Sequence, residues 1–302
     1  MSGAPGTPTA TGVDRIAEAF AAAGAEGRRA ALMPYLMGGF PDLYTSARIG
    51  LAYAEAGADL VELGVPFSDP LADGPVIHAA GTAALRAGAT VETVLEVGRT
   101  ISERVPVVVM CYANPIFVRG AERFADALVE AGASGLIVPD LPLEEGAELQ
   151  RACEQREIAL VQLVAPTTPE DRIVRIAAAA RGFLYMVALT GTTGERAGEP
   201  EDAGAAQAGE AGYRARGRPA RDLATTLARA RTHAQVPLAV GFGIGEPDQA
   251  AAAAAAGADG VIIGSRLVRA AAEEADPVAA AGRLVRAFAD ALATGRPSPP
   301  SS

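Results

Sequence analysis

Short apolar runs alternate with Ala-rich stretches of helical spacing from residue 30 to residue 293, and this alternation constrains the fold more than any other feature. Several runs are β-branched and nearly unbroken, as in parallel strands that are covered on both faces. Eight strands alternating with helices over roughly 260 residues fit a (β/α)₈ TIM barrel, which takes about 250 residues in the typical case. The predicted strands are Ala31–Met37, Asp59–Val65, Pro106–Tyr112, Ser134–Pro139, Ile158–Val164, Phe183–Ala188, Pro237–Phe242 and Gly260–Ile263.

The structural rival is an open, doubly wound sheet. Such a sheet normally carries a G-x-G-x-x-G turn after its first strand, and the turn from Gly38 to Pro41 does not have that spacing. We therefore favour the barrel, with an extra N-terminal helix near residues 13–23 that closes its bottom. The tripeptide Ala-Gly-Ala, followed by Asp59, Ser134 or Asp259, occurs three times where a helix is expected to end on a left-handed glycine and a strand to begin.

One domain is expected over residues 13–293, with disordered tails at residues 1–12 and 294–302. A long insert after the sixth strand, residues 194–219, breaks the barrel pattern. It is rich in Gly and Ala, with one aromatic residue, Tyr213. A structureless stretch of this length is usually a lid or a disordered insert, and this composition favours disorder.

Composition removes several kinds of chemistry. All 26 basic residues are Arg, so Schiff-base aldolases, lysine-bound pyridoxal phosphate and the lysine-containing phosphate loop are excluded. Two histidines and two cysteines are too few for a His-rich metal site or a Cys/His zinc cluster, and we expect no metal and no cofactor. Carboxylates, hydroxyls and backbone amides remain as the reactive groups.

Charge and hydropathy indicate where the chain works. A net charge of −10 argues against binding to nucleic acid or to an anionic membrane. No run approaches the roughly 18 apolar residues of a membrane span, and the first dozen residues lack the basic start and apolar stretch of a signal peptide. Cys111 and Cys153 are expected to be buried, reduced thiols, as in a cytoplasmic protein.

The second strand carries the first candidate for catalysis. Alternation along Asp59–Val65 places Val61, Leu63 and Val65 on one face and Glu62 on the other. If the apolar face packs on helices, Glu62 points into the barrel, where burial raises its pKa toward the range of a general acid or base. The alternative is a structural ion pair, but no Arg lies on a neighbouring predicted strand.

The loop after this strand holds Asp69 and Asp73 between three prolines. Either carboxylate could cap a turn or the next helix, or be directed toward a ligand. Glycines at the ends of the last two strands, with Ser265 opening a short helix, have the pattern of a phosphate cradle built from backbone N–H groups. The turn from Thr190 to Gly194 could add further donors.

At this point the motifs resemble those of the tryptophan synthase alpha subunit family. The segment from Glu62 through Leu63-Gly64-Val65-Pro66-Phe67-Ser68-Asp69-Pro70-Leu71-Ala72-Asp73-Gly74-Pro75 is long and specific. Agreement continues nearly throughout the ordered chain, in Met33-Pro34-Tyr35, Met110-Cys111-Tyr112-Ala113-Asn114-Pro115, Val138-Pro139-Asp140-Leu141-Pro142, Gly241-Phe242-Gly243-Ile244 and Gly264-Ser265.

The resemblance implies a barrel lyase that splits indole-3-glycerol phosphate into indole and glyceraldehyde 3-phosphate. It implies that Glu62 is the acid/base and Asp73 the second catalytic carboxylate. It also implies that Thr193 helps to close the site and position the catalytic carboxylate. The implied indole pocket consists of Tyr35, Ile77, Tyr112, Tyr185 and Phe242, and the implied phosphate site of Gly194, Gly243, Gly264 and Ser265.

The family's loop after the sixth strand communicates with a beta subunit, and Asp69 would belong to that contact. The resemblance therefore implies an alpha₂beta₂ heterotetramer. The loop here departs from the usual Gly-Val-Thr-Gly and is longer, which leaves two alternatives open. One is a stand-alone lyase that releases free indole, and the other is a catalytically silent barrel that regulates a partner.

Overall fold

The computed structural model describes residues 10–187, 219–241 and 243–293. Eight parallel strands form a closed barrel in which each strand pairs with its sequence neighbours and the eighth pairs with the first. The predicted (β/α)₈ barrel is confirmed. The strands are β1 (Ala31–Met37), β2 (Val61–Gly64), β3 (Val107–Met110), β4 (Gly135–Ile137), β5 (Ala159–Val164), β6 (Leu184–Val187), β7 (Leu238–Gly241) and β8 (Gly260–Ile263).

Helices follow the strands and cover the outside of the barrel. Each strand begins and ends within a few residues of its predicted bounds. The helices are α1 (Gly12–Ala25), α2 (Leu43–Glu55), α3 (Pro75–Arg86), α4 (Val91–Ser102), α5 (Ala113–Arg119), α6 (Ala121–Glu130), α7 (Ala147–Glu154), α8 (Glu170–Ala179), α9 (Pro219–Arg231), α10 (Pro247–Ala255), α11 (Ser265–Glu273) and α12 (Pro277–Leu292), with a 3₁₀ turn at Leu143–Glu145.

The core has two layers, which follow from the alternation of side chains along each strand. Val61, Leu63 and Val65 pack outward against the helices. The other face of β2 looks inward, where Leu60 joins the cluster that fills the barrel. The predicted assignment of faces on β2 is therefore correct, and it directs the Glu62 side chain into the barrel.

The extra N-terminal helix, α1, begins one residue before the expected Val13, because the Thr11 hydroxyl and the Asp14 carboxylate form a capping box. Ile16 is fully buried and joins the inner cluster. Its Cδ1 lies 3.2 Å from where a Cβ at Gly135 of β4 would stand. Helix α1 therefore packs against the amino-terminal ends of the strands, as predicted.

The three Ala-Gly-Ala repeats end helices in the expected way, with φ of 102° at Gly57, 66° at Gly132 and 104° at Gly257. The two that continue with Asp do more. Asp59 donates its backbone N–H to the carbonyl of Leu32 at 2.9 Å and accepts the N–H of Leu32 at 2.8 Å. Asp259 makes the same pair of bonds with Leu238. Each aspartate thus links the start of its strand to a neighbouring strand.

Arginines accompany both of these aspartates, Arg28 beside Asp59 and Arg231 beside Asp259. Ser134, in the second repeat along the chain, makes the backbone bond to the carbonyl of Val107. Its hydroxyl is buried and has no hydrogen-bond partner among the described residues. The Ser134 repeat therefore lacks the side-chain link of the other two.

Cys111 and Cys153 are both buried free thiols, as expected. Among the described residues, no helix is long and apolar enough to cross a membrane. Of the expected tails at residues 1–12 and 294–302, residues 1–9 and 294–302 lie outside the described part of the chain, as do residues 194–218 of the expected insert. Within the expected first tail, Thr11 caps α1 and Gly12 begins it.

Candidate active site

The carboxyl ends of the strands bring the candidate residues together at one end of the barrel. Glu62 is 1% exposed and stands beside Tyr35 of β1 and Val108 of β3 in the strand register. Its Oε2 atom is buried and has no hydrogen-bond partner within the described ranges. None of the described residues forms the structural ion pair that was the alternative for Glu62, so the carboxyl is free to act on a ligand.

Burial is the main cause that raises the pKa of Glu62 from its usual 4.5 to about 8, and the charge of Asp73 adds to it. A carboxyl removed from water favours its neutral form, and a nearby negative charge favours it further. Glu62 therefore carries a proton at neutral pH. A protonated carboxyl without a partner is suited to act as a general acid.

The loop after β2 holds Asp73 beside this acid. Helix α3 is capped by Gly74 without any side-chain bond, so Asp73 does not serve as the helix cap. Asp73 is half-buried, and burial raises its pKa, while a hydrogen bond from Tyr112 and the charge of His78 oppose that rise. Asp69 is exposed on the same loop. Of the two loop carboxylates, Asp73 is the one that faces Glu62.

Tyr112 links the Asp73 loop to the end of β3. Its hydroxyl accepts a hydrogen bond from the backbone N–H of Ala72 at 3.0 Å and bonds to the Asp73 carboxylate. Phe67 stacks on the Tyr112 ring with 5.3 Å between ring centroids. Two contacts from residues about forty positions apart therefore fix the loop that carries the second carboxylate.

Asp140, at the end of β4, supports this arrangement from the next strand. Its Oδ1 accepts the backbone N–H of Ala113 at 2.9 Å, and Ala113 is the first residue of α5, directly after Tyr112. The motif around Asp140 was visible in the sequence, but no role was predicted for it. An Asp before Leu-Pro at a strand end was the available signal.

Three of the predicted pocket residues belong to the inner layer of the barrel, into which Glu62 points. Tyr35, Tyr185 and Ile77 are at least nine-tenths buried and belong to the inner cluster. The charge of Glu62 raises the pKa of both tyrosines, after the larger effect of burial. Phe242 and Thr193 lie outside the described residues. The described part of the site is a group of buried apolar and aromatic side chains around one buried acid, which we call the chamber.

The predicted phosphate site is described in part. Gly264 precedes α11, and Ser265 is the first residue of that helix. The first N–H groups of a helix have no carbonyl partner within it, and helix polarity favours an anion there. Gly243, after β7, has a φ of 81°, which favours glycine. Gly194 lies outside the described residues.

The predicted phosphate site lies close to the buried acid, because Tyr35 is next to both. A Cβ on Gly264 would stand 3.9 Å from the Cβ of Tyr35, and Tyr35 is the register partner of Glu62. The helix terminus and the buried carboxyl are thus separated by one tyrosine. Within the described ranges, no group of three or more His, Cys, Asp or Glu side chains could hold a metal ion.

Comparisons with known proteins agree with this geometry. The family model described as tryptophan synthase alpha chain matches residues 20–207 and 204–294. A tryptophan synthase alpha chain of Prochlorococcus marinus is 45% identical over 256 residues, which is 84% of this chain and 86% of the relative. One from a Synechococcus species is 47% identical over 244 residues, 80% of this chain and 83% of the relative.

A solved structure supports the same relationship. Tryptophan synthase of Mycobacterium tuberculosis contains a chain with 34% sequence identity and a TM-score of 0.80. The match covers 95% of this chain and 100% of that chain. The sequence relatives and the fold point to one family, over nearly the full length of each relative. The chain belongs to the tryptophan synthase alpha chain family.

Proposed function

We propose that Glu62 and Asp73 carry out the reaction of this family in this chain. The chain is a lyase of tryptophan biosynthesis that cleaves indole-3-glycerol phosphate to indole and glyceraldehyde 3-phosphate. The observation that carries the assignment of residues is the buried, protonated carboxyl of Glu62, which has no hydrogen-bond partner among the described residues and lies beside a second carboxylate.

The reaction needs an acid first. Glu62 donates its proton to the ring carbon of indole that bears the glycerol chain. The ring then holds a positive charge and can accept the electrons of the bond to be broken. Asp73, as a carboxylate, accepts a hydrogen bond from the indole N–H and stabilises that charge.

The same carboxyl then acts as the base. Glu62, now negatively charged in a dry chamber, takes the proton from the glycerol hydroxyl next to the breaking bond. The hydroxyl carbon becomes the aldehyde of glyceraldehyde 3-phosphate, and the bond electrons return to the ring to give indole. Glu62 ends protonated, so the cycle leaves the enzyme unchanged.

Substrate binding uses groups at both ends of the chamber. Tyr35, Ile77, Tyr112 and Tyr185 surround the indole ring, since large aromatic and aliphatic side chains bind a flat apolar ligand well. The backbone N–H groups of Ser265 and its neighbours receive the phosphate. Gly243 and Gly264 allow it to approach closely. Thr193, Gly194 and Phe242 lie outside the described residues, and we propose them for the same site on the family resemblance alone.

The family works with a beta subunit, and the present chain is the alpha subunit of a tryptophan synthase. For the contact we propose the exposed apolar residues on the elements that hold Tyr112 and Asp73. Leu71 is 82% exposed, Phe117 51% and Val118 78%. A partner bound there would touch the loop and the helix that position the second carboxylate.

We further propose that the assembly is cytoplasmic, consistent with two reduced thiols and a net charge of −10.

Two single variants, Glu62→Gln and Asp73→Asn, test the catalytic assignment. Loss of a positioned acid/base should cost at least about 3 kcal/mol of transition-state stabilisation, or more than about 100-fold in kcat, while substrate affinity changes little. Asp69→Asn, on the exposed part of the same loop, is the matched control for loss of a carboxylate. It is assayed without a beta subunit, because the resemblance places Asp69 at that contact. Turnover by Glu62→Gln above a tenth of the wild-type rate would show that another group is the acid.

Steady-state turnover with and without a beta subunit tests the partner, because full activity without any activation would contradict the two-subunit role.

A further inference from the structure

Tyr35 and Glu62 are direct register partners on β1 and β2, and both side chains lie on the inner face of the barrel. Tyr35 is 6% exposed and Glu62 is 1% exposed. Neighbouring side chains on one face of a sheet are in reach of each other. The phenol ring of Tyr35 is therefore an immediate wall of the space around the acid.

Gly64 explains where the ring goes. Gly64 follows Glu62 by two positions, on the same face of β2 and toward the mouth of the barrel. A Cβ at this position would stand 2.0 Å from the hydroxyl oxygen of Tyr35, 2.6 Å from Cζ and 2.9 Å from Cε2. The ring thus fills the volume that a side chain at residue 64 would occupy. In that place it lies between Glu62 and the open end of the barrel.

The same arrangement occurs a second time across the barrel. Tyr185 of β6 pairs with Ala239 of β7, and Gly241 follows Ala239 by two positions. A Cβ at Gly241 would stand 2.1 Å from the Tyr185 hydroxyl oxygen. Neither Gly64 nor Gly241 is among the glycines with positive φ. The backbone conformation therefore does not require glycine at either position. Glycine is required because a side chain there would collide with the tyrosine ring.

Among the described residues, the groups that face Glu62 come from four elements. Tyr35 comes from β1, Val108 from β3, Tyr185 from β6 and Asp73 from the loop after β2. Burial has a larger effect on the pKa of Glu62 than the charge of Asp73. The side chains that exclude water therefore matter more to this acid than the charge beside it.

We propose that Tyr35 is a positioning residue for the acid, because its ring, seated in the space left by Gly64, separates Glu62 from water at the mouth of the barrel. The proposal deepens the proposed function, and it rests on Glu62 being the acid. The ring carries the effect, and the hydroxyl does not. The sulfur of Met37 is a poor acceptor and lies 3.9 Å from the hydroxyl oxygen.

Two substitutions separate the ring from the hydroxyl. Tyr35→Phe keeps the ring, while Tyr35→Val removes all three atoms that crowd Gly64 and admits water. Leu36→Ala is the matched control, because Leu36 is the next residue on β1, is equally buried and points to the outer layer. It opens a cavity in the same strand without touching the acid.

The primary measurement is the titration of the Glu62 carboxyl in the full-length chain without substrate, by ¹³C NMR, with Glu62→Gln used to assign its signal. In Tyr35→Val the pKa of Glu62 should fall by about one unit or more. Tyr35→Phe and Leu36→Ala should leave it near the wild-type value. An unchanged titration in a folded Tyr35→Val variant, as judged by circular dichroism, would overturn the proposal.

The pH profile of kcat/KM gives a second readout, because kcat/KM reports the pKa of the acid in the free enzyme. Since Glu62 acts when protonated, the alkaline limb of Tyr35→Val should lie at lower pH than that of the wild type, and the ratio of kcat/KM at pH 6 to kcat/KM at pH 9 should rise by about tenfold. A merely structural role would lower kcat/KM equally at every pH. If Glu62→Gln retained turnover, the proposed function would fail, while the titration would still decide the role of Tyr35.

Gly64→Ala supplies an independent variant. The added methyl group must displace the ring, so the pKa of Glu62 should fall as it does in Tyr35→Val. In the double variant Gly64→Ala/Tyr35→Val the added methyl group meets no ring. The rate ratio of the double variant should therefore differ by less than about twofold from that of Tyr35→Val alone. Full additivity of the two substitutions would contradict the assigned contact.

Discussion

Asp140 Oδ1 accepts the backbone N–H of Ala113 at 2.9 Å and so fixes the start of α5, the helix that begins directly after Tyr112. The Tyr112 hydroxyl in turn accepts the N–H of Ala72 and bonds to Asp73. The end of β4 is thereby connected, through one helix start and one phenol, to the second catalytic carboxylate.

Asp140→Ala should weaken the start of α5 and loosen Tyr112. Loss of a capping carboxylate typically costs about 1 kcal/mol, and kcat should fall severalfold because Asp73 is less well held. Urea unfolding and steady-state kinetics measure the two effects. Asp140→Asn, which keeps an oxygen acceptor, is the control and should retain most of both. Equal losses in the Asn and Ala variants would show that the charge of Asp140, and not the hydrogen bond, is what matters.

Tyr112→Phe should change how activity depends on pH. The hydrogen bond from Tyr112 lowers the pKa of Asp73, so its removal should raise that pKa. Because Asp73 works as a carboxylate, the acidic limb of kcat/KM should move to higher pH. The ring and its stacking on Phe67 remain in the variant. An acidic limb at the wild-type position would mean that Tyr112 does not bond to Asp73 in the working enzyme.

Glu62→Gln should be more stable than the wild type at high pH. The pKa of Glu62 in the fold, about 8, is raised above its usual 4.5. The stability that this group contributes is complete below about pH 4.5 and is lost as the pH rises through 8. The variant has no such loss, so its advantage in free energy of unfolding should grow by a few kcal/mol between roughly pH 5 and pH 9. Urea unfolding of both proteins at the two pH values measures this, and a constant difference would contradict the raised pKa.

Ser134→Ala should raise the free energy of unfolding, by about 1 kcal/mol, because it removes a buried hydroxyl without a partner among the described residues. Asp259→Ala should lower it, because the N–H of Leu238 and the guanidinium of Arg231 both lose an acceptor. The pair of variants compares the Ser134 repeat with the Asp259 repeat in one denaturation experiment. Destabilisation by Ser134→Ala would show that its hydroxyl has a partner.

The sequence by itself determined the barrel and the direction of its acid. Helical and strand periods alternate eight times, and a period of two along β2 allows Glu62 only one face once its apolar neighbours pack on helices. The left-handed glycines of the repeats were predictable for the same reason, since their conformation depends on local backbone geometry.

The tertiary structure decided which groups meet. Whether Asp73 caps α3 or faces the acid could not be read from its neighbours in the chain, since both uses suit an Asp between prolines. The bonds from the Ala72 N–H to Tyr112 and from the Ala113 N–H to Asp140 join segments that follow different strands, and closure of the barrel brings these segments together. The fit of Tyr35 over Gly64 likewise depends on the register between β1 and β2. Burial of Glu62 is the sum of such contacts, so the pKa that suits it to its reaction is a property of the closed barrel.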